Sequence, residues 1–83
     1  MAFFMDIHKG LNGLTADAVA GAHQKDLAVQ EKHGVKYLRY WFNEVDGTVF
    51  CLSEAPTREA AEAVHREAHG LIPNEIVEVT EGR

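Results

Sequence analysis

The run His65-Arg66-Glu67-Ala68-His69 places two imidazoles four residues apart in a helix-forming stretch. On an α-helix such positions share a face with Cβ atoms about 5–6 Å apart, so the pair can grip one divalent transition metal. Glu62, three residues before His65, can add a carboxylate oxygen. The pattern is not that of a zinc protease, which needs Glu directly after the first His; Arg66 stands there. A solvated helix face with two ordinary surface histidines is the plainer reading of the same spacing.

His8, His23 and His33 bring the histidines to five in 83 residues. Asp6 and His8 alternate on one side of a strand-like segment, where a carboxylate and an imidazole can ligate a metal or act as a base with its orienting group. The competing reading is a polar pair at the mouth of an interface. His23 has Asp26 three residues on; it reads as a packed structural residue, or as one that approaches His65 across a two-helix layer. His33 falls in the last turn of the first helix, where the dipole favours it. Cys51 is the lone cysteine, which rules out an internal disulfide and any Cys-x-x-Cys motif. It reads as a small buried hydrophobe unless folding brings a base or a metal to it. Nitrogen and oxygen donors without a cysteine cluster suit Ni2+, Cu2+, Zn2+ or Co2+. Imidazoles must be neutral to coordinate, so affinity is expected to fall as pH drops through about 6.5.

The elements that must position these groups follow from period and punctuation. Residues 2–9 alternate with period two and predict a strand, with Phe3, Met5 and Ile7 on one side and Phe4, Asp6 and His8 on the other. Thr15 is a good N-cap, Asp17 suits the first turn, and Ala16 to His33 predicts a helix ending at Gly34. Val35 to Val45 predicts a second strand and Thr48 to Glu54 a third, joined at Asp46-Gly47, a hairpin signal. Thr57 caps a second helix over Arg58 to His69, and Glu75 to Thr80 forms a last strand. The order β-α-β-β-α-β is the ferredoxin-like α+β sandwich: a four-stranded antiparallel sheet, order 4-1-3-2, with both helices on one face and one domain over residues 1–83.

In this reading Leu38, Tyr40, Phe42, Phe50 and Leu52 face the helices. The open face carries Phe4, Tyr37, Trp41, Val49 and Cys51 with Asp6, His8, Arg39 and Asn43. So aromatic a face predicts an interface, most simply between two sheets of a homodimer. It also puts Asp6 and His8 on the opposite side of the sheet from His65 and His69. The histidines then cannot converge within one subunit, and several weak, exposed sites are expected.

Composition narrows the classes. The net charge of −5 and the absence of a basic run exclude the footprint of a nucleic-acid binder. The N-terminus lacks the pattern of a signal peptide and no apolar run approaches a membrane span, so a cytoplasmic location without membrane attachment is expected. No glycine-rich phosphate loop, nucleophile elbow or pair of catalytic carboxylates is present.

Four stretches, MDIHKG (residues 5–10), AHQKDLAVQEKHGV (22–35), VFCLSEAP (49–56) and GLIPNEIVEV (70–79), carry a resemblance. The chain resembles a family of small bacterial proteins, formerly a domain of unknown function, with a nickel-binding branch in actinobacteria. The resemblance implies a ferredoxin-like homodimer that binds nickel, with a role in nickel sequestration or tolerance. His8, His23 and His33 lie inside the matching stretches; His65 and His69 lie between them and rest on geometry alone. The expectation is a non-enzymatic, cytoplasmic nickel-binding protein using Asp6, His8, His23, His33, Glu62, His65 and His69. The alternative is a small enzyme or ligand-binding protein of the dimeric α+β barrel type, with a pocket on the open face lined by Asp6, His8, Trp41 and Cys51.

Overall fold

A computed structural model describes residues 1–82. Its elements are β1 (Ala2–His8), α1 (Ala16–Val29) continued by a 3-10 turn (Gln30–His33), β2 (Lys36–Asn43), β3 (Thr48–Ala55), α2 (Arg58–Ala68) and β4 (Glu75–Val79). The four strands form one antiparallel sheet in the order β2-β3-β1-β4, the expected ferredoxin-like order, with both helices on one face.

Both helices start where side-chain caps allow. The Thr15 hydroxyl accepts from Ala18 N and the Thr57 hydroxyl from Ala60 N, each at 3.1 Å, satisfying amides with no partner inside the helix. The first helix is shorter than expected. It tightens into the 3-10 turn after Val29 and stops at Gly34, whose φ of 70° is the left-handed conformation a glycine adopts freely. The second strand is shorter too, ending at Asn43. Its side-chain oxygen accepts from Asp46 N, so the hairpin connection takes in Glu44 and Val45 as well as Asp46-Gly47. Gly47 is required there: its φ is +65°, and a Cβ would lie 2.5 Å from the backbone oxygen of Leu11. That close approach, with Leu11 N donating to Gly47 O at 3.0 Å, ties the β1–α1 loop to the hairpin.

The sidedness of the sheet reverses the sequence expectation at three strands. Phe4, Asp6 and His8 on β1, Val49, Cys51, Ser53 and Ala55 on β3, and Tyr37 on β2 are buried against the helices. Phe3, Met5, Ile7, Phe50 and Leu52 alternate with these and therefore lie on the open face. The reason is that both faces are apolar. On β1 the outward set is the more hydrophobic, so the rule of burying the apolar side pointed the wrong way. On β2 a bulge adds a further reason. The register slips between Tyr37 and Arg39, so Tyr37 and Tyr40 both point inward while Leu38 stays exposed. Tyr40 and Phe42 keep their expected side, as do Arg39 and Trp41 on the open face. Gln30 secures the bulge, its side-chain oxygen accepting from Tyr37 N at 2.8 Å.

Candidate metal centre between the sheet and the helices

With β1 turned inward, Asp6 and His8 project from the sheet toward α2 and meet His65. The His8 and His65 rings stand edge to face, their centroids 5.0 Å apart, and His65 and His69 lie 5.1 Å apart. His8, His23, His65 and His69 all line one cavity of about 350 Å3 between α1, the β1–α1 loop and the sheet. Four of the five histidines thus gather around one space, correcting the expectation that they cannot converge within one subunit. His33 lies elsewhere, its Nε2 3.0 Å from Glu67 Oε1 on the surface. Glu62 pairs with Arg66 along α2 and takes no part in the cluster.

His65 is the hub. It is 1 % exposed, on the inner face of α2 with Ala61 and Val64. Its Nδ1 is 2.9 Å from Asp26 Oδ1. Its Nε2 lies 2.8 Å from Asp6 Oδ2, yet off any hydrogen-bond line. Asp6, completely buried, accepts a short hydrogen bond from the Tyr37 hydroxyl, which the bulge aims into the site; that hydroxyl also lies 3.1 Å from Ala61 O. Among the described residues three buried polar atoms have no hydrogen-bond partner: His65 Nε2, Asp6 Oδ1 and Ser53 Oγ. Buried polar atoms are ordinarily satisfied, so the two on the adjacent His65 and Asp6 side chains call for a cause.

Among the described residues two groups of donors are close enough to hold a metal: His8, Cys51 and His65, all buried, and Asp26, His65 and His69. They are not equivalent. His69 Nδ1 accepts from Leu71 N at 3.1 Å, and its Nε2 faces Asp26 Oδ1 at 3.2 Å. The network therefore assigns the Nε2–H tautomer to His69 and leaves it no free lone pair. The helical pair that looked like a metal clip instead grips a carboxylate. Through the same contact Asp26 fixes His65 by its Nδ1, leaving Nε2 beside Asp6 with donor atoms of His8 and Cys51 within 4.8 Å of the ring's donor nitrogen. A carboxylate holding the far nitrogen of a histidine is the usual support of a metal-binding imidazole. Asp26 and Cys51 were underrated in the sequence: Asp26 lies seven residues after Val19, on the buried side of α1.

The charge states follow from burial and neighbours. Burial, with the nearby His65, pulls His8 down to about 4, so His8 is neutral and ready to coordinate at any physiological pH. Burial also works against charge on His65, but the hydrogen bond to the Asp26 carboxylate, the adjacent Asp6 carboxyl and contact with Cys51 outweigh it and push it up to about 11. Burial opposes charge on Asp26 as well, but hydrogen bonds from His65 and His69 hold its carboxyl below the ordinary range. Burial pushes the Cys51 thiol and the Tyr37 phenol up. Without metal, then, His65 is an imidazolium between two carboxyl groups and Cys51 is a thiol.

These shifts set the pH profile of metal-free stability. Below about 6.5 an unfolded chain protonates His8 while the folded one resists until about 4, so stability falls with acid at up to about 1.4 kcal/mol per pH unit. The raised His65 acts in the opposite sense: its contribution is complete below about 6.5 and is lost as pH climbs toward 11. The thermal midpoint of metal-free protein should therefore peak near pH 6.5. His8→Asn should shift the acid decline into the carboxylate range. Thermal scans in chelator-treated buffers check this, and an acid decline unchanged in H8N would count against it.

Comparison with known proteins agrees with this architecture. The family described as "Nickel responsive protein SCO4226-like" matches residues 4–79. The chain belongs to this family. Among solved structures, the crystal structure of SCO4226 from Streptomyces coelicolor A3(2) is similar, with 43% identity and a TM-score of 0.92 over 99% of this chain and 100% of that one. Comparison with curated proteins finds no match. The SCO4226-like family is thus nickel-responsive by description, and the fold is shared along the whole chain.

Proposed function

We propose that this SCO4226-like protein binds Ni2+ at the buried group His8, His65 and Cys51, beside Asp6, and serves to sequester the metal rather than to turn over a substrate. The observation that carries the reading is the buried His65, held through Nδ1 by Asp26, with an Nε2 that makes no hydrogen bond and with donor atoms of His8 and Cys51 within 4.8 Å of its own. Two imidazoles and a thiolate suit a late divalent metal, so Zn2+, Cu2+ and Co2+ are competitors on donor chemistry, and the family description favours nickel among them. His23, lining the same cavity, and His33, on the surface, are not in this donor set.

Metal displaces a proton from His65 and one from Cys51, because both are protonated at neutral pH and must be free to coordinate. Affinity should therefore keep rising above pH 6.5 instead of levelling off there, since His8 is already neutral. Isothermal titration of tag-free protein with NiCl2 in buffers of different ionisation enthalpy should show saturable binding that releases about two protons per metal. Absence of saturable heat would end the proposal.

The open face supports a homodimer. Trp41 is 47% exposed there, beside Phe50, and Val77 is exposed opposite Met5. An apolar face of this extent marks an interface, and a second copy of the same sheet is self-complementary by two-fold symmetry. Light scattering should give twice the 9.2 kDa of one chain, and Trp41→Glu should restore the monomer mass. Among the described residues no helix is long and apolar enough to cross a membrane. We place the protein in the reducing cytoplasm, where Cys51 stays available as a ligand. The barrel-type pocket loses its basis: Asp6, His8 and Cys51 lie on the helix side and Trp41 on the other.

A further inference from the structure

The cavity beside the donors is larger than one metal ion needs. Its volume of about 350 Å3 falls within the range of small-molecule pockets. His8, Cys51 and His65 all border it, whereas Asp6 does not, so the donor group turns one side toward the open space. The remaining walls are largely apolar, built from Leu11 and Leu14 of the β1–α1 loop, Val19 and Ala22 of α1, Tyr40 of β2 and Leu71 after α2, with His23, Asp26 and His69 adding polar edges. A site that only stores a bare ion has no use for such a chamber. Structural metal sites are closed by four protein ligands, and three protein donors facing a cavity leave a position for an exogenous one.

Resting on the nickel reading above, we propose that the cavity admits a small neutral heteroaromatic nitrogen base, of the azole class, as an additional ligand to the metal held by His8, Cys51 and His65. The walls select its body and the charges select its donor. A flat ring buries its faces against the leucines, Val19 and Tyr40. Cys51 as a thiolate, with the carboxyl groups of Asp6 and Asp26, already supplies negative charge around a divalent cation. An anionic ligand would add buried charge without a partner, whereas a neutral nitrogen donor adds none. The protein thus carries its metal as a ternary complex with a small organic molecule.

The test uses nickel-loaded wild-type protein, freed of excess metal, with 4-methylimidazole as probe and acetate as comparator. The azole should shift the nickel absorption spectrum saturably while nickel stays on the protein, and acetate at equal concentration should leave it unchanged. Ala22→Phe, which fills the chamber from α1 without touching a donor, should weaken the azole at least tenfold and change nickel affinity less than threefold. No spectral shift, loss of nickel to the azole, an equal response to acetate, or an A22F response like wild type would each overturn the inference. Nickel uptake without an azole response defeats this inference alone; no nickel uptake defeats the metal reading and this with it.

Discussion

Replacing His65 with leucine should lower the unfolding free energy of the metal-free protein by about 3–5 kcal/mol, the cost of removing one partner from a buried ionic group. The effect is large because His65 stands between Asp6 and Asp26, both buried, and answers both. Without it the two buried carboxyl groups lose the imidazolium that lies between them. A chain of 83 residues has about 4–12 kcal/mol of stability in all, so the variant should lie near the edge of folding. Urea denaturation measures the loss. A companion variant keeps the claim testable even if H65L does not fold. Neutralising both carboxyl groups as well, in D6N/D26N/H65L, should recover part of the loss, because no buried charge is then left unpaired. A triple variant less stable than H65L would show that His65 matters for its packing and not for its charge.

The second large effect separates the two donor groups. Cys51→Ser should weaken nickel binding by about 100-fold or more, since it replaces a soft thiolate with a hydroxyl that does not ionise. His69→Ala should cost less than about tenfold, the lower end of what loss of an indirect support costs. His69 spends both nitrogens on Leu71 N and Asp26, and so acts on His65 only through the shared carboxylate. Paired titrations of the two variants give the ratio directly. Equal losses would move the metal toward Asp26 and His69; a larger loss in H69A would place it there.

The element order, the helix starts at Thr15 and Thr57 and the sheet order were legible in the sequence, because capping residues, turn glycines and period-two runs act locally. The facing of the strands was not. Along β1 the alternation Phe3/Met5/Ile7 against Phe4/Asp6/His8 is plain, but a one-residue choice decides which set is buried, and hydrophobicity favours the wrong one. The sheet buries Asp6 and His8 because α1 and α2 bring Asp26 and His65 to meet them, a pairing across 59 residues that no local pattern records. The bulge at Leu38 was equally silent, and it alone turns Tyr37 toward Asp6. The conflict itself was the available signal. A strand that is apolar on one side and carries Asp-x-His on the other buries one of them against expectation, and a functional site is where that exception belongs.

The same inversion alters the place of the helical pair in the account. His65 and His69 do share a helix face, as the spacing required. What they share across it is Asp26, and the nitrogen left over on His65 lies beside Asp6, with His8 and Cys51 close to the same ring. In the proposed site the pair acts as a support, with His65 alone as a ligand.

Anomalous diffraction at the nickel edge, from crystals of the protein loaded with one equivalent of NiCl2, tests the central claim most directly. The account predicts one dominant peak per subunit between His8 Nε2 or Nδ1, His65 Nε2 and Cys51 Sγ, with His65 Nδ1 still on Asp26. A dominant peak on the surface beside His33 and Glu67, or between His69 and Asp26 with Cys51 unligated, would contradict it.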